Sequence, residues 1–364
     1  MIYLTFSEYP SGVFKSQVID RVVDLNKKSG KSIQIVSFIS FKKFFYYKNQ
    51  FNNYKKYVKN IYVIPMFPFI SLWKVNLISL LIISIFLNFQ KIQGRGPFAT
   101  YLALILKRFK ITKYVLYDGR GATYAETVEY KMHDNKDYIS SVYEAEKESI
   151  LKSDFCIAVS NALVGYWKSE FKYDGDFRIE PCKPNIFKFK NISEEKILNL
   201  RYKLGFDEKD IIIVFSGGNG LWQSYDLLYY FFKRQKNKNE NLKLVLLCPK
   251  NKYVNLLLSQ YPESVKNLFV KPNEVHEHLL YADYGFLIRH DTITNRVSSP
   301  VKFGEYIQSG LKVLISDKVG DYSKLVQEQN LGLVIKDVNK KIVINRVSYI
   351  EKKNQIKFFE NYFK

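Results

Sequence analysis

Acidic residues are nearly missing from the first third of this chain. Residues 1–113 carry three, Glu8, Asp20 and Asp24, against 18 lysines and arginines. The whole chain has a formal net charge of +21, so most of the excess sits in that third. Such a surface draws anionic partners: a lipid headgroup layer, a phosphorylated small molecule or nucleic acid. A solvated lysine face is the plain alternative. Cysteine is scarce as well. Cys156, Cys182 and Cys248 stand far apart with no Cys-x-x-Cys, which excludes a disulfide framework and a zinc ribbon and suits a reducing compartment. Four histidines offer no metal motif: His276 and His278 flank Glu277 at the wrong spacing for a zinc helix.

Long apolar runs are also lacking. The most apolar stretch, "VNLISLLIISIFLNF" (75–89), is about fifteen residues long, is interrupted by Asn76 and Asn88, and is flanked by Lys74 and Lys91. A bilayer span needs about twenty. The stretch reads as a buried helix ahead of one inserted in a membrane surface. The opening "MIYLTFSEYP" has no basic region and runs directly into a strand pattern, so no secretory leader is expected. The expected location is the cytoplasm, with the inner face of the plasma membrane as a peripheral address.

What is present is alternation. With 364 residues, 47% of them apolar, the chain is large enough for two domains. Strand-like runs at 2–6, 32–39, 61–65, 114–118 and 155–160 alternate with helical patterns such as 13–28, 101–109 and 143–154. After a Pro-containing stretch (178–196) that reads as a linker, the pattern restarts, with strands expected at 210–218, 242–249, 268–272, 284–289, 311–316 and 331–335. Strand and helix in turn predict parallel sheets covered on both faces. The predicted class is α/β, with two Rossmann-like doubly wound domains facing across a cleft. Their expected bounds are 1–183 and 184–345, with a helix at 346–364 packing back toward the first domain. Sites in such sheets lie beyond the carboxyl ends of the strands.

Two segments there carry chemistry. "SGGNG" (216–220) follows a strand; consecutive glycines let backbone N–H groups approach an anion, and a following helix N-terminus would add positive potential. It is neither a Walker loop nor Gly-x-Gly-x-x-Gly, and a simple turn explains it equally well. "RHDTITNRVSSPVKFGEYIQSG" (289–310) is the stronger signal. Ser299 reads as the N-cap, Pro300 as the first helical residue and Gly310 as the residue past the end. Lys302 falls in the first turn, where an anion is favoured. Glu305 lies three positions on, able to accept two hydroxyls. Arg289 and Arg296 could reach a diphosphate in bidentate fashion. The alternative is a surface Lys–Glu pair worth a few tenths of a kcal/mol.

This segment, with "VGDYSKL" behind it, resembles the donor-binding region of GT-B glycosyltransferases, particularly the retaining family 4 type, over most of 205–340. The resemblance implies that Glu305 holds a nucleotide ribose, that Lys302 and its basic neighbours Arg296 and Arg289 neutralise a diphosphate, and that Gly217, Gly218 and Asn219 lie beneath the phosphates. It also places Val270, Lys271 and Pro272 at the base pocket and Ser299 among the donor contacts. In the first half, "YDGRGATYAE" (117–126) resembles the loop facing the donor. This makes Asp118 and Arg120 catalytic candidates, against the alternative of an Asp–Arg turn that only shapes the loop. "SEYPSGVFKSQV" (7–18) resembles an acceptor-side loop, with Gly12 and Lys15 as candidates. Two positions depart from the family. Val297 stands where many members have a second glutamate, and "NGLWQ" (219–223) replaces an arginine and a lysine.

The resulting expectation is a hexosyltransferase-type enzyme. It would move sugar from a nucleotide-diphosphate sugar to a hydroxyl of a saccharide or lipid-linked saccharide. Family analogy makes it retaining and metal-independent, needing no cofactor, in surface polysaccharide biosynthesis. Residues 1–113 are expected to touch an anionic membrane. No nucleic-acid partner is expected, since the basic third shows no known binding module. The rival readings are a non-catalytic GT-B scaffold or partner subunit and a nucleotide-sugar epimerase.

Overall fold

The structure is a computed structural model and describes residues 1–184, 186, 193–268, 270–271 and 274–363. The chain divides into two compact units, Met1–Cys182 and Lys183–Lys364. The first unit holds seven strands: β1 (Ile2–Phe6), β2 (Gln34–Ser40), β3 (Ile61–Met66), β4 (Lys91–Arg95), β5 (Tyr114–Gly119), β6 (Phe155–Ala158) and β7 (Phe177–Ile179). All pairs are parallel, in the order β3-β2-β1-β4-β5-β6-β7. Alternating side chains feed two cores: Ile2, Leu4 and Phe6 enter one, and Tyr3 enters the other. The linker expected from residue 178 begins later, because β7 uses its first residues as an edge strand.

The second unit holds β8 (Ile211–Ser216), β9 (Leu242–Leu247), β10 (Val265–Asn267), β11 (Tyr284–Leu287), β12 (Lys312–Ser316) and β13 (Gly332–Ile335). They form a parallel sheet in the order β10-β9-β8-β11-β12-β13. In both sheets the chain order reverses once, between β1 and β4 and between β8 and β11. Crevices at the carboxyl ends of these strand pairs are where open α/β sheets hold ligands.

Three expectations are corrected. Strand β4 was not foreseen: its inner residues Gln93, Gly94 and Arg95 are buried but not apolar. Strand β10 lies at 265–267 rather than 268–272, because Val265 reaches β9 while Leu268 and Val270 pack on the core. The apolar helix, Leu77–Phe86, is not buried. Only Leu80 is fully enclosed, and Ile78, Ile82, Ile85 and Phe86 face solvent. The C-terminal helix, Tyr349–Tyr362, packs on the helix Val301–Gln308 and sends Phe359 and Phe363 into the core of the second unit. Among the described residues no helix is long and apolar enough to cross a membrane.

Candidate functional site

The helix Val301–Gln308 sits beside the switch point of the second sheet. It is N-capped by Pro300, whose ψ of 123° is extended. Ser299 is therefore not the cap; its Oγ meets the Tyr322 hydroxyl at 3.0 Å. The loop after β12 is fixed to this helix by Tyr322, stacked on Phe303 at 4.0 Å. The far end closes as expected. Gly310 takes φ of 79°, and the N–H groups of Gly310 and Leu311 donate back to Ile307 and Tyr306. Tyr306 anchors the middle. Its ring fills the space above Gly285, where any Cβ would collide, and its hydroxyl accepts from the Ser216 N–H at 3.2 Å.

This scaffold buries Lys302, which is 9% exposed. Its Nζ donates to Gln223 Oε1 at 2.6 Å and lies 4.1 Å from the centroid of the Phe215 ring. Among the described residues it has no carboxylate partner within ion-pair reach. Burial lowers its pKa well below the ordinary lysine value, and the positive charge of Arg289 lowers it further; Glu305 and Cys248 oppose this. The alternative of a solvated Lys–Glu pair is thereby excluded. Glu305 is partly buried; its carbonyl accepts from the Ser309 N–H at 3.2 Å, and its carboxylate has no hydrogen-bond or ion-pair partner among the described residues. Burial raises its pKa, with Lys302 acting the other way.

The glycine loop meets this lysine. Gly217 follows β8, and a Cβ there would fall on Lys302 Nζ. Gly218 and Asn219 are exposed. No α-helix follows directly: a 3-10 turn, Leu221–Gln223, intervenes, and the helix Tyr225–Lys236 starts only after Ser224 in the left-handed region. The expected helix-terminus field at the glycines is thus absent from this loop. The Ser224 Oγ accepts from the His290 N–H at 3.0 Å, tying the loop after β8 to the loop after β11.

Arg289 is 8% exposed; its N–H donates to Ser316 Oγ at 2.5 Å and its Nη1 to Asn295 Oδ1 at 3.2 Å. Arg296 does not join it. It is exposed and held by both oxygens of Asp291. Val297, at the position of the missing glutamate, is buried. Val270 packs partly buried on the core, and the N–H of exposed Lys271 donates to Glu274 Oε2 at 3.2 Å. Pro272 lies outside the described residues. Sequence reasoning missed Gln223 and Phe215, the two side chains that hold Lys302. Gln223 was visible only as a departure from the family.

In the first unit, Asp118 is fully enclosed at the end of β5. It accepts from the Tyr3 hydroxyl at 2.5 Å and from Gln93 Nε2 at 3.1 Å, and is gripped by Arg120 at 2.8 and 3.0 Å. Burial would raise its pKa, but Arg120 and Arg95 outweigh that and hold the carboxyl below its usual range. With no exposed surface, the Asp118 carboxylate is taken up by these partners within the first unit. Gly12 opens a short helix capped by Ser11, and Lys15 is paired with Asp20, its Nζ 4.4 Å from the Tyr57 ring centroid. The triplet Asp174-Gly175-Asp176 sits before β7, at the amino ends of the strands. The Asp176 carbonyl there accepts from the Cys156 N–H and the Tyr173 hydroxyl.

Cavity size does not mark the site. A cavity of about 570 Å³ lies at the amino ends of β1, β2 and β4, lined by Met1, Leu25, Lys31 and Lys91. That is the end of a parallel sheet where ligands are not held. One of about 340 Å³ opens at the carboxyl ends of β11, β12 and β13, bordered by Arg289, His290 and Ser316.

No family model matches the chain, and no curated protein does. Solved structures match over nearly its whole length. WaaG, a glycosyltransferase involved in lipopolysaccharide biosynthesis, aligns with a TM-score of 0.66 at 13% identity, covering 99% of this chain and 94% of its own. Sucrose-phosphate synthase of Thermosynechococcus elongatus gives 0.67 at 12%, covering 93% and 87%. Anabaena HepE, solved in complex with UDP, gives 0.62 at 12%, covering 100% and 90%. The chain has the GT-B fold. At these identities the likeness speaks for the GT-B architecture, and the role of each residue has to be argued from its own surroundings.

Proposed function

We infer that the second unit binds the diphosphate of a nucleotide sugar and that the protein is a glycosyltransferase. The observation that carries this is Lys302: a buried amine with the Arg289 guanidinium nearby and, among the described residues, no carboxylate within ion-pair reach, so that burial disfavours its charged form. An uncompensated charge in such a place costs several kcal/mol. An anion arriving beside Gly217 repays that cost, so the site is built to be completed by its ligand. Glu305, one turn on and unpartnered, accepts the hydroxyls of the ribose.

In the reaction, the bond from the anomeric carbon to the diphosphate oxygen breaks. The acceptor oxygen bonds to that carbon, and the acceptor's proton passes to the leaving phosphate. Negative charge grows on the diphosphate, and Lys302 with Arg289 stabilises it most in the transition state. Retention at the anomeric carbon, metal independence and a role in surface polysaccharide assembly rest on the resemblance to family 4. The acceptor is a saccharide or lipid-linked saccharide, reached at an anionic membrane.

The buried Val297 favours one rival, a silent binding subunit. A thermal-shift screen of nucleotide sugars, followed by an assay for released nucleoside diphosphate with and without acceptors, separates the readings. A melting-temperature rise with acceptor-dependent release supports the transferase. Turnover of the sugar nucleotide without acceptor means an epimerase. No shift with any donor sinks the donor site altogether.

A further inference from the structure

The 3-10 turn Leu221–Gln223 turns its last residue inward. Leu221 is exposed, whereas Gln223 is 8% exposed. The backbone is held on both sides of it. The Gln223 N–H donates to the Gly220 carbonyl at 3.0 Å. Ser224, next in the chain, takes φ of 53°, a region unfavourable for a residue with a Cβ. The His290 N–H on its Oγ ties it there. The Gln223 side chain therefore leaves a fixed point and is itself enclosed.

An amide has two unlike ends, and both face the anion site. Gln223 Oε1 accepts from Lys302 Nζ at 2.6 Å. An ammonium only donates, so the oxygen is the end that must meet it. Nε2 then points elsewhere: it lies 3.3 Å from where a Cβ on Gly217 would stand. Among the described residues Nε2 has no hydrogen-bond partner. The same Cβ would collide with Lys302 Nζ. The Lys302 amine and the Gln223 amide nitrogen thus border one space, which the glycine at 217 leaves open.

The charged and titratable groups around Lys302 are Arg289 after β11, Cys248 after β9 and Glu305 on its own helix. Burial disfavours the charged form most, and Arg289 adds to that. The Gln223 oxygen acts the other way, because a hydrogen bond donated by the ammonium favours it. Among the described residues it is the one hydrogen-bond acceptor of Nζ.

We propose that Gln223 is the positioning residue of the anion site: its amide oxygen holds Lys302 Nζ beside Gly217, and its amide nitrogen donates to the same diphosphate. This rests on the diphosphate reading of Lys302 and adds to it an uncharged donor that orients the phosphate.

The test uses the full chain, with inorganic pyrophosphate, UDP, GDP and ADP as probes and affinities taken by calorimetry from about pH 6 to about pH 10. Lys302→Met supplies the profile of the probes' own ionisation. Wild-type affinity should fall as pH rises through the Lys302 titration, a break that Lys302→Met lacks. Gln223→Leu removes both hydrogen bonds at similar volume. It should weaken binding by about tenfold to a hundredfold and move the break down by about one pH unit. Gln223→Glu sets a carboxylate against the ammonium and the incoming phosphate. It should move the break up and weaken binding by about a hundredfold or more. Arg289, Cys248 and Glu305 are the same in all of these variants, so the shifts report position 223. A loosened loop would lower affinity alike at every pH, whereas opposite shifts in the two variants mark the contact with Lys302. Gln223→Leu binding within about twofold of wild type, or weakened with the break unmoved, would overturn the proposal and leave the Lys302 site standing. Wild type that bound none of the probes would overturn both.

Discussion

The two sheets reverse their order at equivalent points, and each point gathers charged side chains, but their electrostatic accounts differ. Beside β1 and β4, the buried ions Asp118 and Arg95 each have a counter-ion: Asp118 has Arg120, and Arg95 has Glu8. Beside β8 and β11, Lys302 is enclosed with an aromatic ring and an amide, and among the described residues the Glu305 carboxylate has no hydrogen-bond or ion-pair partner. The first arrangement is complete without a ligand and stabilises a loop. The second leaves its charge balance open for something that is not protein. The topology alone would have ranked the two points equally.

This contrast can be broken by mutation. The largest effect is expected from Asp118→Ala, which strands Arg120 in the interior and should cost about 3–5 kcal/mol in denaturant unfolding. Lys302→Ala should do the reverse. Its melting temperature should stay near wild type, while kcat/KM for transfer falls by about a hundredfold or more. If Asp118→Ala proved as stable as wild type, or Lys302→Ala as active, the division between the two points would fail.

Glu146 sharpens the first side. It is fully buried, accepts from the N–H groups of Thr123 and Tyr124, and burial pushes its pKa up to about 7 from 4.5. The folded state therefore holds a proton that the unfolded chain has lost. That contribution is fully present below pH 4.5 and is lost as pH rises through about 7. Denaturant unfolding at about pH 5 and about pH 8 should show a fall of roughly 3 kcal/mol in wild type, and Glu146→Gln should flatten it. The smallest effect is expected from Arg296→Ala. Its exposed pairing with Asp291 contributes about 0–1 kcal/mol, and transfer kinetics should change by less than about twofold.

Much of the fold was legible because parallel strands buried on both faces are near-continuous apolar runs, as in "IIIVFS" and "LKLVLL". Strand β4 was hidden for the opposite reason. Gln93 and Arg95 are buried as polar partners of Asp118 and Glu8, which no hydrophobic pattern reports. The apolar helix was misread because hydropathy gives a segment's composition but not whether a neighbour covers its outer face. At the candidate site, spacing singled out Lys302 and Glu305, and the fold sets Lys302 against Gly217. Arg296 was grouped with them, and its pairing with Asp291, five residues back, is a contact that the spacing did not report. Gln223 was illegible, since its role depends on a contact with a residue 79 positions away.

The most direct measurement is the proton balance of diphosphate binding. In the free protein, Lys302 has a pKa well below its ordinary value. An anion beside it favours the charged form, so binding should draw a proton from solvent. UDP, GDP and ADP would be titrated by calorimetry at about pH 9, where the phosphates are already ionised. Buffers of different ionisation enthalpy would reveal the exchange. Proton uptake by wild type, with affinity that weakens as pH rises and collapses in Lys302→Met, is the expected result. Binding that exchanges no proton and persists in Lys302→Met would contradict the assignment of the diphosphate to this lysine.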